Sequence, residues 1–218
     1  MKNRLFTIGH SNLDIKEFIS LLNQHNVTAL ADVRSSPYSR YVSQFNKENL
    51  KNSLLNAGIK YVFLGEELGA RPKDKSCYVE GKAVYENIAK LPLFSQGIER
   101  LKKGSQSYEI ALMCAEKDPI TCHRAVLVCQ HLRQLPLDIN HILQDGRLQS
   151  HEDLENRLLE IHNLDQSGKE ATVQLSLFDN VSKQTSLPTL SPEEALKEAY
   201  RKQGLNIAYV EKNYDQND

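Results

Sequence analysis

A chain of 218 residues with 27 Lys and Arg against 28 Asp and Glu has a formal net charge of −1, which excludes a global basic field of the kind that draws proteins onto nucleic acid or acidic membranes. The length suits one α/β domain with a buried core and a few dozen residues to spare. No run of about eighteen apolar residues occurs, so no membrane-spanning helix or membrane partner is expected. The opening MKNRLFTIGHSN lacks a signal peptide's apolar centre, so the expected location is the cytoplasm, with four reduced cysteines.

From Leu5 onward, short β-type runs alternate with stretches of helical period. LFTI reads as a strand, DIKEFISLLNQHN as a helix preceded by the capping residues Asn12 and Asp14, and VTALADV as a second strand. NKENLKNSLLNAG reads as a helix closed by Gly58, and IKYVFL as a third strand. A helical stretch around Ala83 to Lys103 follows, then a fourth strand YEIALMC, a helix from near Thr121, and a last strand near Asp138 to Leu143. This alternation predicts an α/β, Rossmann-like fold over residues 1–162, a mostly parallel sheet with flanking helices. Residues 163–190, rich in Ser, Thr, Gln, Asn and Asp, read as a polar linker. Ser191, Pro192 and Glu194 supply an N-cap, a first-turn proline and a capping box for a short C-terminal helix, to about Gln203, in an appendage spanning 191–218.

Polar residues cluster after each strand: Gly9-His10-Ser11-Asn12, then Asp32 to Pro37 with Arg34, then Gly65 to Pro72 with Arg71, then Cys114 to Arg124, then Gln144 to Arg147 with Asp145. In a parallel sheet these loops share the carboxyl edge, where open α/β folds bind ligands. Ordinary turns account for glycine and proline but do not need His, Cys and several Arg residues. With strands in the order 3-2-1-4-5, the first and fourth are neighbours, and His10 and Cys114 face each other across a crevice.

The segment CAEKDPITCHR concentrates the chemistry. Cys122 stands where a helix begins, beside His123 and Arg124, and helix amides and cations favour a thiolate. Cys122 is therefore the candidate nucleophile, with His123 and His10 as proton-transfer partners and Cys114 assisting, resolving an oxidised Cys122, or only packing. Glu116 is a candidate acid or base. Arg34, Arg71 and Arg124 are candidate holders of a phosphate or carboxylate, with Ser11, Asn12, Asp32 and Asp145 beside them on the same edge. No cofactor is required by this reading. The rival is zinc on Cys114, Cys122 and His123, with His10 as an optional further ligand, although the usual Cys-x2-Cys knuckle is missing. A redox pair and two inert packed thiols remain open as well. Cys129 reads as core, and His25, His131, His141, His151 and His162 show no converging pattern.

Together, TIGHSN, DVRSSPYSR, YVFLGEELGARP and CAEKDPITCHR resemble, in order and over about the first 150 residues, the family catalogued as domain of unknown function 488. The resemblance implies a fold and a suspected active site but no reaction. In the linker, Gln174 to Phe178 (QLSLF) is similar to the pentapeptide by which bacterial replication and repair proteins dock on the DNA sliding clamp. Gln174, Leu175, Leu177 and Phe178 are the expected partner-binding residues, since a short apolar motif in a polar segment can fold onto a groove. The alternative is a packed terminal strand. The reading is an enzyme of DNA repair or nucleotide metabolism, a hydrolase or transferase recruited to DNA by the clamp. The contrasting reading is a non-enzymatic module that senses redox state or holds zinc.

Overall fold

The computed structural model of the chain describes residues 3–165 and 190–211. In chain order the elements are β1 (Asn3–Gly9), α1 (Ile15–Gln24), β2 (Ala29–Asp32), α2 (Lys47–Asn56), β3 (Lys60–Phe63) and the single turn α3 (Gly65–Leu68). The two-residue strands β4 (Tyr78–Val79) and β5 (Lys82–Ala83) precede α4 (Tyr85–Ile88), α5 (Pro92–Gly104) and β6 (Ile110–Cys114). A π-helical stretch, Arg124–Cys129, runs into α6 (Gln130–Leu132), followed by β7 (Leu137–Ile142), β8 (Leu148–Ser150), α7 (His151–Ile161) and α8 (Pro192–Ile207).

Local chemistry sets several of these boundaries. The Asp14 carboxylate accepts from Lys16 N–H to start α1, and Gly58, at φ +73°, supplies the left-handed step that ends α2. The single helix expected over 83–103 is broken in two. Pro92 has no N–H to continue a helix and forces Leu91 into an extended conformation, so α5 starts afresh there. Ser191 and Glu194 form the full capping box of α8. Ser150 caps α7, a helix the sequence reading left unassigned.

The six-stranded sheet has the order β3-β2-β6-β1-β7-β8, parallel throughout except for the final β7–β8 hairpin. The fold class is the expected Rossmann-like α/β, but the strand order 3-2-1-4-5 is corrected: β6, the fourth long strand, lies between β2 and β1. Its sequence IALMC is buried at every position, the property of a strand covered on both faces and paired on both edges.

Connections from the neighbouring strands β1 and β6 leave in opposite directions. The chain after β1 crosses β6 through α1 to reach β2, while the chain after β6 crosses β1 through the π-helical stretch to reach β7. The two crossovers lie on opposite faces. Phe6 and Ile8 of β1 pack with Phe18, Leu22, Leu50 and Leu54 of α1 and α2. Leu5 and Leu112 pack on the other face with Val126, Leu127, Leu154 and Leu196. This divergence opens a crevice at the carboxyl ends of β1 and β6, the place where doubly wound sheets bind ligands.

The C-terminal helix packs against the domain, with Ala195, Leu196, Ala199 and Tyr200 buried. After it, Ala83 N–H donates to Tyr209 O and Glu211 N–H to Gly81 O, so residues 209–211 lie along the β4–β5 hairpin. Among the described residues no helix is long and apolar enough to cross a membrane. The QLSLF segment, Gln174 to Phe178, lies outside the described residues.

Candidate active site

Cys114 ends β6 and Cys122 ends the loop that follows it. That loop is built to hold its last residue. Asp118 accepts from Ile120 N–H to open a 3-10 turn over Pro119–Thr121, and Arg157 clamps the same carboxylate with Nη2 2.8 Å from Oδ2. Gln203 Nε2 of α8 donates to Ile120 O at 2.9 Å. Cys122 is extended, and its carbonyl accepts the first N–H groups of the π-helical stretch, while Arg124 N–H points at its sulfur, 3.5 Å away. A π-helical run of this kind places side chains off the usual helical spacing, a feature found frequently at functional sites.

Three ligating atoms converge here: the sulfurs of Cys114 and Cys122 and a ring nitrogen of His123 lie within 4.8 Å of one another. His123 Nδ1 is 3.7 Å from Cys114 Sγ and 3.9 Å from Cys122 Sγ. Its Nε2 lies 2.9 Å from Val33 O; because a carbonyl only accepts, Nε2 carries the hydrogen and Nδ1 is the acceptor in the neutral ring. On the other side, Glu116 Oε2 stands 3.0 Å from Cys122 Sγ.

These contacts separate the two thiols electrostatically. Burial opposes ionisation of Cys122, but the Cys114 thiol as donor and the charges of Arg124 and His123 outweigh it and hold Cys122 well below the usual thiol range. Cys114 is pushed well above that range by its hydrogen bond to Cys122 and by burial. Burial alone would lower His123, yet the Cys122 thiolate beside it raises it, so the two groups favour a thiolate beside an imidazolium. Burial and then the Cys122 charge raise Glu116, which favours a protonated carboxyl facing the thiolate. Cys129 is fully buried, and burial pushes its thiol up.

Cys122 is 1 % exposed yet lines a cleft of about 190 Å³ together with Cys114, Glu116, His123, Tyr85 and Tyr209. Arg34, Arg71, Ser35 and Ser36 form its other wall. The cleft therefore combines a thiolate, an acid and cationic groups, the components of nucleophilic displacement at an electrophilic centre.

Other expected site residues are placed elsewhere. His10 N–H bonds Cys114 O at 2.9 Å, so the backbones adjoin as anticipated, but the side chains do not face each other. Alternation along the strands sends Cys114 to the α8 side and His10 to the α1 side, where its ring stacks on Phe45 at 4.3 Å. His10 Nε2 meets Arg34 Nη1 at 3.2 Å, and burial, followed by the Arg34 charge, lowers its pKa to about 4. Neutral His10 supports Arg34 and contacts neither sulfur.

Arg34 is also bound by Asp32 through Nε and Nη2 and by Phe45 O, while Tyr61 O–H donates to Asp32. The Asp32–Arg34 pair is a buried brace beneath the turn. Arg124 is 1 % exposed and spends its guanidinium on Glu116 O, Lys117 O and Thr7 Oγ1. It supports the thiolate from below and has no face toward a ligand. Ser11, at φ +46°, and Asn12 bond each other above β1 and do not line the cleft. Asp145 is paired with Arg147 in the turn of the β7–β8 hairpin, away from the cleft.

The sequence reading missed two groups. Tyr209 lies 95 residues beyond Cys114 in the chain (209 − 114), and no local motif announces it. His141 and His151, read as unrelated, belong to one buried chain of contacts. Thr7 Oγ1 meets His141 Nδ1 at 2.8 Å, His141 Nε2 meets His151 Nδ1 at 3.1 Å, and His151 Nε2 meets Tyr200 Oη at 3.0 Å. Tyr200 O–H donates to Glu155, which Arg133 pairs at 2.6 Å. Since Arg124 Nε donates to Thr7, this chain links α8 to the guanidinium beneath Cys122.

No curated protein and no solved structure matches the chain. The family model described as Domain of unknown function DUF488 matches residues 14–130, more than half of the 218 residues and including both thiols, and the chain belongs to that family.

Proposed function

We propose that the protein is an enzyme of DNA repair or nucleotide metabolism that uses Cys122 as a covalent nucleophile and is brought to DNA by the sliding clamp. The observation that carries the enzymatic part is the placement of Cys122 Sγ between His123 Nδ1 and Glu116 Oε2, at 3.9 and 3.0 Å. In the first step Cys122 Sγ bonds to an electrophilic carbon of the substrate as the bond to the leaving group breaks, and the leaving group takes the proton from Glu116. In the second, the Glu116 carboxylate takes a proton from water, whose oxygen displaces the sulfur. Thiolate and protonated acid are thereby restored, and the net reaction is hydrolysis; an acceptor other than water makes it group transfer.

Recruitment rests on QLSLF, whose likeness to the clamp-binding pentapeptide would compensate for the absence of a basic field in a chain of net charge −1. Binding of the full-length protein to the sliding clamp of its own organism, lost in a Leu177→Ala/Phe178→Ala double variant, is the expected result. No binding by the wild type removes the recruitment and leaves the enzyme.

For the nucleophile, Cys122→Ser should abolish turnover and iodoacetamide labelling at this position while the fold persists. Labelling of Cys122 no faster than an ordinary exposed thiol at neutral pH overturns the covalent reading.

A second reading, a zinc-binding or redox-sensing module, is favoured by one observation. Cys114, Cys122 and His123 offer three ligand atoms within 4.8 Å, and the His123 ring is oriented by donation to a backbone carbonyl, as metal-bound imidazoles are. Stoichiometric zinc in protein purified without added metal, lost in Cys114→Ser, would favour this reading over the thiolate nucleophile.

A further inference from the structure

We infer that the thiol cleft is the reactive end of a two-chambered site that takes a nucleoside monophosphate unit, with Arg71 as the phosphate-binding post between the chambers. The inference rests on the reading of Cys122 as nucleophile and adds the substrate class.

The cleft around Cys122, at about 190 Å³, is smaller than the roughly 300–1,000 Å³ of ordinary small-molecule sites and holds a reacting group but little more. A second cleft of about 640 Å³ adjoins it, and Ser35 and Arg71 belong to both. Phe63, Leu91, Pro92 and Leu93 give this second chamber apolar walls. Asp74 and Gln96 line it too, with Glu66 and Lys73. Apolar walls with a few polar groups match a planar base, whose faces are apolar and whose edges carry donors and acceptors.

Arg71 is fixed where the chambers meet. Its N–H donates to Ser35 Oγ at 3.0 Å, and its guanidinium lies 4.4 Å from the centre of the Tyr209 ring. Tyr209 is held in turn by the pairing of its carbonyl with Ala83 N–H at 2.9 Å. Arg34, Arg100, Arg133 and Arg157 all pair with carboxylates, whereas Arg71 makes no ion pair among the described residues. A stacked guanidinium without a carboxylate, at the mouth of a nucleophile's cleft, is the group that a phosphate would recognise by bidentate hydrogen bonding.

The ring at the post comes from outside residues 14–130, which the family model matches. Tyr209 is therefore a positioning residue that this chain supplies through its own C-terminal segment. The phosphate can belong to a free nucleotide or to the end of a DNA strand, and both present the same chemistry.

The test is calorimetric binding of deoxynucleoside monophosphates, of a 5′-phosphorylated trinucleotide and of inorganic phosphate to the full-length protein, which reads occupancy whether or not Cys122 reacts. Binding of a nucleotide more tightly than phosphate, weakened roughly tenfold or more by Arg71→Ala, supports the inference. So does a smaller weakening in Tyr209→Leu. Leu93→Glu should remove the advantage of nucleotide over phosphate and leave phosphate binding in place. Binding of the trinucleotide alone assigns the phosphate to a strand end. Equal binding of phosphate and nucleotide, or none of either, overturns the inference. Iodoacetamide labelling of the same samples keeps the two ideas apart. Rapid labelling of Cys122 without nucleotide binding overturns the substrate class alone, and nucleotide binding with a sluggish Cys122 overturns the nucleophile alone.

Discussion

His123 Nε2 lies 2.9 Å from Val33 O, and this contact across β2 leaves only Nδ1 to face the sulfurs of Cys114 and Cys122. The imidazole is thus oriented by the strand next to the one that carries Cys114, and the thiolate–imidazolium pair depends on the β2–β6 register, in which Asp32 stands opposite Met113.

Replacing His123 by Ala removes the cation that helps to lower Cys122. In the native protein, Cys122 labelling should persist as pH falls below the usual thiol range and vanish only as pH passes down through the lowered value. In His123→Ala that loss should begin at higher pH, and the rate at a given pH should fall roughly tenfold for each unit by which the thiol comes to lie above that pH. A pH profile of iodoacetamide labelling read by intact mass checks this, and superimposable profiles would refute the pairing.

Gly9 brings the end of β1 against the loop that ends at Cys122. A Cβ there would sit 1.8 Å from Glu116 O, the carbonyl that Arg124 Nη1 binds at 2.8 Å. Gly9→Ala must push that carbonyl away and with it the guanidinium under Cys122. A loss of about 1–3 kcal/mol in urea unfolding is expected, together with slower Cys122 labelling. A variant of native stability and native labelling would show that the loop does not depend on this contact.

The strand periodicities, the Asp14 and Ser191 caps and the clustering of polar residues after each strand were all legible in the sequence because each depends on neighbours a few residues apart. The position of β6 between β2 and β1 was not, since strand order is set by which apolar faces pack and leaves no local trace. The same limit explains Arg124. Its place beside Cys122 and His123 suggested a ligand clamp, but its direction is decided by the carbonyls of Glu116 and Lys117 and by Thr7, on β1. The separation of His10 from Cys114 follows from side-chain alternation once β1 and β6 are known to pair in register, Gly9 opposite Cys114.

Asp32 and Arg34 are 0 % and 7 % exposed and form a bidentate pair. Asp32→Asn leaves the guanidinium buried without its counter-charge, and a loss of about 3–5 kcal/mol is expected. Tyr61→Phe, which removes only the hydroxyl donating to Asp32, should cost roughly 1 kcal/mol. Chemical denaturation of the two variants side by side checks the ratio, and similar losses in both would mean that the charge is screened in a way the burial does not show.

The buried histidine chain makes an acid limit of stability. His151 is lowered to about 4, first by burial and then by the Arg133 charge, and His141 is held well below its ordinary value by burial and by His151. Between the ordinary histidine value of 6.5 and about 4, the unfolded chain takes up a proton at His151 that the folded chain refuses. Stability therefore falls as pH is lowered through this window, by roughly 3 kcal/mol for His151 alone at its lower end. In His151→Gln the dependence should become shallower by up to about 1.4 kcal/mol per pH unit, the contribution of one proton. His123, whose value is raised, works in the opposite direction and is present in both proteins, so the difference between them reads His151 together with the release of its hold on His141. Urea unfolding at a series of pH values from neutral down to the lower end of the window reads the slopes. Equal slopes would mean that His151 is protonated in the folded state, with Glu155, 3.7 Å from its Nε2, as the partner that accepts the charge.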